Sequence, residues 1–144
     1  EGMVGGQMID LEAASHPLDI GGITRLQRMK TGALIAFGCE VGAIMGHAPG
    51  PLRDALRGYA HDLGLAFQIT DDLLDAEGSA AEAGKAVGKD ASRGKATFVS
   101  LLGIERARAQ TRLLADQAVT HLGAFGAAAD RLAELARWVV DRRS

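Results

Sequence analysis

Phe67-Gln68-Ile69-Thr70-Asp71-Asp72-Leu73-Leu74-Asp75 is the stretch on which the reading of this chain turns. It closes a helical run over 51–75 in which Leu52, Leu56, Tyr59, Leu63, Ala66 and Leu74 form an apolar stripe. At about 100° per residue, Gln68, Asp71, Asp72 and Asp75 share an arc on the opposite side. A polar face turned to water is one reading of that arc. Three features oppose it. The carboxylates stand at the expected C-terminus of the helix, where the macrodipole disfavours negative charge. Asp71 and Asp75 are a like-charge i,i+4 pair, destabilising by roughly 0.2–0.5 kcal/mol. No Lys or Arg lies three or four residues from any of the three. A hard divalent cation removes all three penalties, and Mg²⁺ characteristically takes one or two carboxylates together with substrate phosphates.

Working outward, the same periodicity gives helices over about 3–14, 21–46, 51–75, 96–122 and 125–142, and no segment alternates with period two. The predicted class is all-α. The 26 alanines and six aromatics agree with it. A mobile Gly/Lys loop is expected over 76–95, carrying Gly78, Gly84, Gly88 and Gly94 beside Lys85, Lys89, Arg93 and Lys95. Such a loop is either a solvated connection or an anion clamp, with free backbone and point charges for phosphate.

Within 21–46, Ile23, Leu26, Leu34, Phe37, Val41 and Ile44 make one stripe, and Lys30 lies inside it. Its ammonium either snorkels to solvent or turns into a cavity to meet an anion. Thr31 follows, with a hydroxyl for the same cavity. In Gly5-Gly6-Gln7-Met8-Ile9-Asp10-Leu11, the glycines read as close helix packing, and Gln7 and Asp10 share a face. His16, His47, His61 and His121 show no ligand spacing. The single cysteine, Cys39, excludes an internal disulfide framework. With 16 Lys+Arg against 18 Asp+Glu the net charge is −2, which argues against a nucleic-acid partner. The longest apolar stretch, 31–46, is interrupted by Glu40 and too short to span a membrane. Together with the lack of a secretory leader pattern, this gives a soluble cytoplasmic domain as the expectation.

Taken in order, Gly5-Gly6-Gln7-Met8-Ile9-Asp10, Lys30-Thr31-Gly32-Ala33-Leu34, Phe67-Gln68-x-x-Asp71-Asp72-Leu73-Leu74-Asp75, Gly84-Lys85, Gly88-Lys89-Asp90 and Gly94-Lys95-x-Thr97 resemble the trans-isoprenyl diphosphate synthases. Within that family the bacterial short-chain farnesyl diphosphate synthases (geranyltranstransferases) look most similar. The resemblance covers residues 1–144 as the C-terminal part of a single prenyltransferase domain, and the family's first aspartate-rich motif is absent. It implies the C-terminal half of an isoprenoid-synthase helical bundle, cut through its core with an apolar surface left open. The reaction implied is Mg²⁺-dependent head-to-tail condensation of an allylic diphosphate (dimethylallyl or geranyl) with isopentenyl diphosphate, by a cytoplasmic homodimer. The roles implied are metal binding for Asp71, Asp72 and Asp75, and allylic diphosphate binding for Lys30, Lys85 and Lys95. The same resemblance places oxygens of Thr31 and Gln68 near the developing cation, and Phe67 beside isopentenyl diphosphate. A non-catalytic helical partner subunit of a heteromeric synthase is the other reading, and the retained acidic arc opposes it. A generic bundle with a solvated acidic face would bind no diphosphate.

Overall fold

The computed structural model of the protein describes residues 2–13, 16, 18–83 and 97–142, with the backbone alone described at 79–83. Every regular element among them is helical, as the periodicity predicts: α1 (Gly2–Glu12), α2 (Ile20–Gln27), a π-helical turn (Arg28–Gly32), α3 (Ala33–Met45), α4 (Gly50–Ala83), α5 (Phe98–Leu102), α6 (Ile104–His121), a 3-10 segment (Leu122–Ala129) and α7 (Asp130–Asp141). No described helix is long and apolar enough to cross a membrane.

The axis of the fold is α4, against which α3, α6 and α7 all pack. Alanines make this possible. Ala60 and Ala66 of α4 are fully buried, as are Ala107 and Ala118 of α6 and Ala136 of α7. Between them sit two apolar clusters, one built on Ile23, Ile69, Leu73, Phe98 and Leu114, the other on Tyr59, Leu63, Leu122 and Val139. The buried Tyr59 satisfies its hydroxyl by donating to the Leu132 carbonyl at 2.9 Å, as a polar tip taken from water must.

The expected single helix over 21–46 is interrupted. The π turn inserts an extra residue, and one residue is about 100° of rotation. Past the insertion, Ile35 and Cys39 turn towards the core and Ala43 is buried. Leu34 and Phe37 are left 56% and 68% exposed, and Ile44 is exposed too. The stripe read from uniform spacing is correct on α2, where Ile23 and Leu26 are buried, and wrong on α3. With Val4, Met8 and Leu11 of α1, these residues give the chain an open apolar surface of the kind the resemblance implies.

Helix α1 approaches the π turn backbone to backbone. A Cβ on Gly6 would stand 2.5 Å from the Lys30 amide nitrogen, and one on Gly64 of α4 would stand 3.1 Å from the Gly32 Cα. The close-packing reading of the N-terminal glycines is therefore the right one.

Three further boundaries differ from expectation. Helix α4 runs to Ala83, so 76–83 of the expected loop are helical, and 84–95 lie outside the described residues. The expected helix 96–122 is split at Gly103, whose φ of +80° ends α5. Its start is fixed by a capping box in which Thr97 and Ser100 satisfy each other's amides. The expected helix 125–142 begins as 3-10 and becomes α-helical only at Asp130.

Gly6→Ala should destabilise the fold by about 1–3 kcal/mol, the usual result of forcing a methyl into filled space. Gly78→Ala, on α4 with nothing within 4 Å of the new methyl, should instead be neutral or stabilise by up to about 1 kcal/mol. Urea unfolding of the two variants checks the pair, and equal effects would contradict the packing described.

Candidate functional site

Four elements meet around a cavity of about 320 Å³ lined by Asp10 of α1, Ile23, Leu26 and Gln27 of α2, Lys30 of the π turn, and Asp72 and Asp75 of α4, together with Ala13, Leu18 and Thr97. Six polar side chains, three of them carboxylates and one a lysine, thus open onto one space. Larger hollows occur elsewhere, and among the described residues neither of these brings a lysine and two of the three stripe carboxylates together.

Lys30 does turn inward, as the anion-meeting reading requires. The π turn aims it, and its ammonium pairs with Asp10 Oδ2 at 2.8 Å. Asp10 was marked in the sequence only as sharing a face with Gln7, and its partnership with Lys30 follows from the Gly6 contact one turn earlier on α1. Thr31 and Gln68 are half-buried on the neighbouring backbone, and neither lines the cavity. Lys85 and Lys95 lie outside the described residues.

The stripe carboxylates are held by partners distant in sequence. Asp72 accepts the Phe98 amide at 3.0 Å, which ties α4 to the start of α5. Asp71 is ion-paired with Arg142, just beyond α7. The Arg142 guanidinium also stacks 4.2 Å from the centroid of the Phe67 ring. Burial pushes the Asp72 carboxyl up to about 6, reinforced by the neighbouring Asp75 and Asp71. Burial also raises Asp71, with Asp75 adding to it and Arg142 opposing it. Like-charge stress at the stripe is therefore present in the fold. The macrodipole part of the sequence argument does not survive, because α4 continues two turns past Asp75 and that effect fades within the last turn. The lack of a nearby counter-charge is also true only locally, since Arg142 arrives from 71 residues away.

The donor set suits a hard cation, being all carboxylate oxygen. Among the described residues no three His, Cys, Asp or Glu side chains converge on one point. Mg²⁺ completes its octahedron from water and substrate oxygens and needs only one or two protein carboxylates. The histidines behave as satisfied surface groups where the structure pairs them: His61 Nδ1 and His121 Nε2 each lie 3.1 Å from a different oxygen of Asp62.

Residues 1–129 match the polyprenyl synthetase family profile. A farnesyl diphosphate synthase of Bacillus subtilis is 36% identical over 142 residues, covering 99% of this chain and 48% of that protein. The crystal structure of an FPP/GFPP synthase from Zymomonas mobilis superposes with a TM-score of 0.82 at 53% identity, covering 96% of this chain and 45% of the other. A geranyltransferase from Helicobacter pylori, solved in complex with magnesium and isoprenyl diphosphate, superposes at 0.73 with 30% identity, covering 97% of this chain and 46% of that one. The chain spans about half the length of the relatives it matches.

Asp72 yields a pH signature that needs no ligand. Its carboxyl binds a proton more tightly in the folded chain than in the unfolded one, from 3.8 up to about 6. Stability therefore falls as pH rises through that window, and the full penalty is in place above it. Asp72→Asn keeps an acceptor for the Phe98 amide and removes the charge. Its thermal stability should equal that of the parent near pH 3.5 and exceed it by about 1–2 kcal/mol at pH 8, discounting for solvent reach. A gap that does not vary with pH would contradict the burial of this carboxylate.

Proposed function

The chain belongs to the polyprenyl synthetase family, and from that premise we propose that it supplies the second metal and allylic-diphosphate half of a short-chain prenyl diphosphate synthase. The reaction is head-to-tail condensation of dimethylallyl or geranyl diphosphate with isopentenyl diphosphate, yielding a product such as farnesyl diphosphate. The observation that carries the reading is the single cavity in which Lys30 faces Asp72 and Asp75. Support also comes from the Helicobacter pylori relative with its magnesium and isoprenyl diphosphate.

In this reading Asp71, Asp72 and Asp75 hold Mg²⁺, which when bound supplies positive charge opposite the departing diphosphate. Lys30 exchanges Asp10 for a diphosphate oxygen. The exchange is local, since its ammonium already lies at the cavity edge. Lys85 and Lys95 add point charges to the same anion. Negative charge on the diphosphate grows as its bond to the allylic carbon breaks, so these cations stabilise the transition state more than the bound substrate. The Thr31 hydroxyl and the Gln68 amide oxygen direct their dipoles towards the allylic carbon as it becomes positive. Phe67 provides an apolar wall beside the attacking isopentenyl group. The preceding half of the polypeptide would cover the apolar faces of α1 and α3 and bring the isopentenyl diphosphate site. A cytoplasmic homodimer belongs to the same reading.

Mg²⁺-dependent incorporation of isopentenyl diphosphate into a longer product, with geranyl diphosphate as acceptor, is the direct test in the protein carrying these residues. Asp71→Ala should lower the rate by about 100-fold or more, and Lys30→Gln by a similar order. Mg²⁺ with inorganic diphosphate should raise Tm, and Mg²⁺ alone should raise it less. Undiminished transfer by Asp71→Ala would remove the stripe from the mechanism.

A further inference from the structure

Arg142 is the residue whose placement the proposed reaction leaves without a task. It lies just past the end of α7, where a charged side chain ordinarily extends into water. Its side chain is instead only 16% exposed. The guanidinium covers the Phe67 ring and pairs with Asp71, one turn further along α4. Its Nε is buried and makes no hydrogen bond. The pose therefore satisfies a carboxylate and an aromatic face while leaving one of the arginine's own donors unpaired, which is an unfavourable way to bury it. A purely structural clamp between α7 and α4 would be expected to pair all its donors. The arrangement suits a contact made to be exchanged.

We propose that Arg142 is an internal counter-ion that occupies Asp71 in the metal-free protein and is displaced when a divalent cation takes that carboxylate, so that cation binding frees the end of α7 and uncovers Phe67. The inference rests on the metal reading above and adds a competitor to it. Asp71 cannot serve both charges fully, because Arg142 donates to Oδ1 from the side of α7 whereas Asp72 and Asp75 open onto the cavity of Lys30. Displacement has two consequences. The third carboxylate becomes available only as the first two engage the cation, and the ring of Phe67 loses its cationic cover at the same moment. Arg142 is thus a positioning residue, acting through Asp71 and Phe67.

The only tryptophan of the chain, Trp138, reports the event. Its carbonyl accepts the Arg142 amide at 2.9 Å, and its indole is largely exposed. In the protein carrying these residues, Mg²⁺ would be titrated at fixed inorganic diphosphate, followed by calorimetry and by tryptophan emission. The parent protein should bind with a change in emission. Arg142→Gln should bind at about threefold to fivefold lower Mg²⁺, the range of a partly screened ion pair, with no emission change. Arg142→Lys, which keeps the charge, should bind near the parental concentration and recover part of the emission response. Circular dichroism of each variant checks that it folds as the parent does. Equal Mg²⁺ requirements in the parent and Arg142→Gln, or an undiminished emission response in that variant, would overturn the competition and leave the metal reading intact. Absence of any Mg²⁺ binding in both proteins would overturn the metal reading and the competition with it.

Discussion

The approach of α1 and α4 to the π turn over 28–32 is the constraint on which the rest of the structure depends. Two helices reach that turn at backbone distance, one through Gly6 and one through Gly64 against Gly32. Neither contact tolerates a side chain without displacement. Because the contact is backbone to backbone, it fixes the height and rotation of the turn more tightly than interdigitated side chains would, and Lys30 has little freedom in where it starts. The ammonium then reaches Asp10 on one side and the Asp72–Asp75 edge on the other. A straight α-helix through this segment would rotate both Lys30 and the face of α3 that follows it.

Opposing that rigidity is an electrostatic tension along α4. Three carboxylates stand within five residues, and the two partly buried ones, Asp71 and Asp72, are pushed towards protonation. The fold tolerates this through contacts contributed from far along the chain: the first amide of α5 on Asp72 and the arginine beyond α7 on Asp71. Each is a single substitute for charge that the local sequence does not provide. Their weakness as permanent solutions is informative, since a stripe that existed only for stability would be more stable as asparagine or glutamine.

How much of this was readable beforehand depended on whether the signal was local. The all-helical class and the stripe at Gln68, Asp71, Asp72 and Asp75 were legible because helical spacing alone places them, whereas spacing left Lys30 open between snorkelling and turning inward. The π turn was not, since nothing in Arg28-Met29-Lys30-Thr31-Gly32 differs in composition from a regular helix, and its cause is the glycine contact from α1. The same omission put Leu34, Phe37 and Ile44 on one stripe with the buried Ile23 and Leu26, whereas they face outward. Arg142 escaped for a different reason: it closes the expected helix 125–142, and its partners Phe67 and Asp71 are joined to it only by the packing of α7 on α4. Thr97 could have been found as a cavity-edge residue from its capping pattern with Ser100, which marks the point where the chain returns to α4.

The phase slip between α2 and α3 makes the intervening segment unusually sensitive to length. Substitutions within 28–32 leave the count of residues unchanged and preserve the offset between the two apolar faces. Loss of one residue would let the backbone relax into a continuous α-helix and swing α3 by about 100°, turning Ile35, Cys39 and Ala43 away from α4. An insertion or deletion at this turn therefore displaces a whole helix face, which a replacement that keeps the residue count does not.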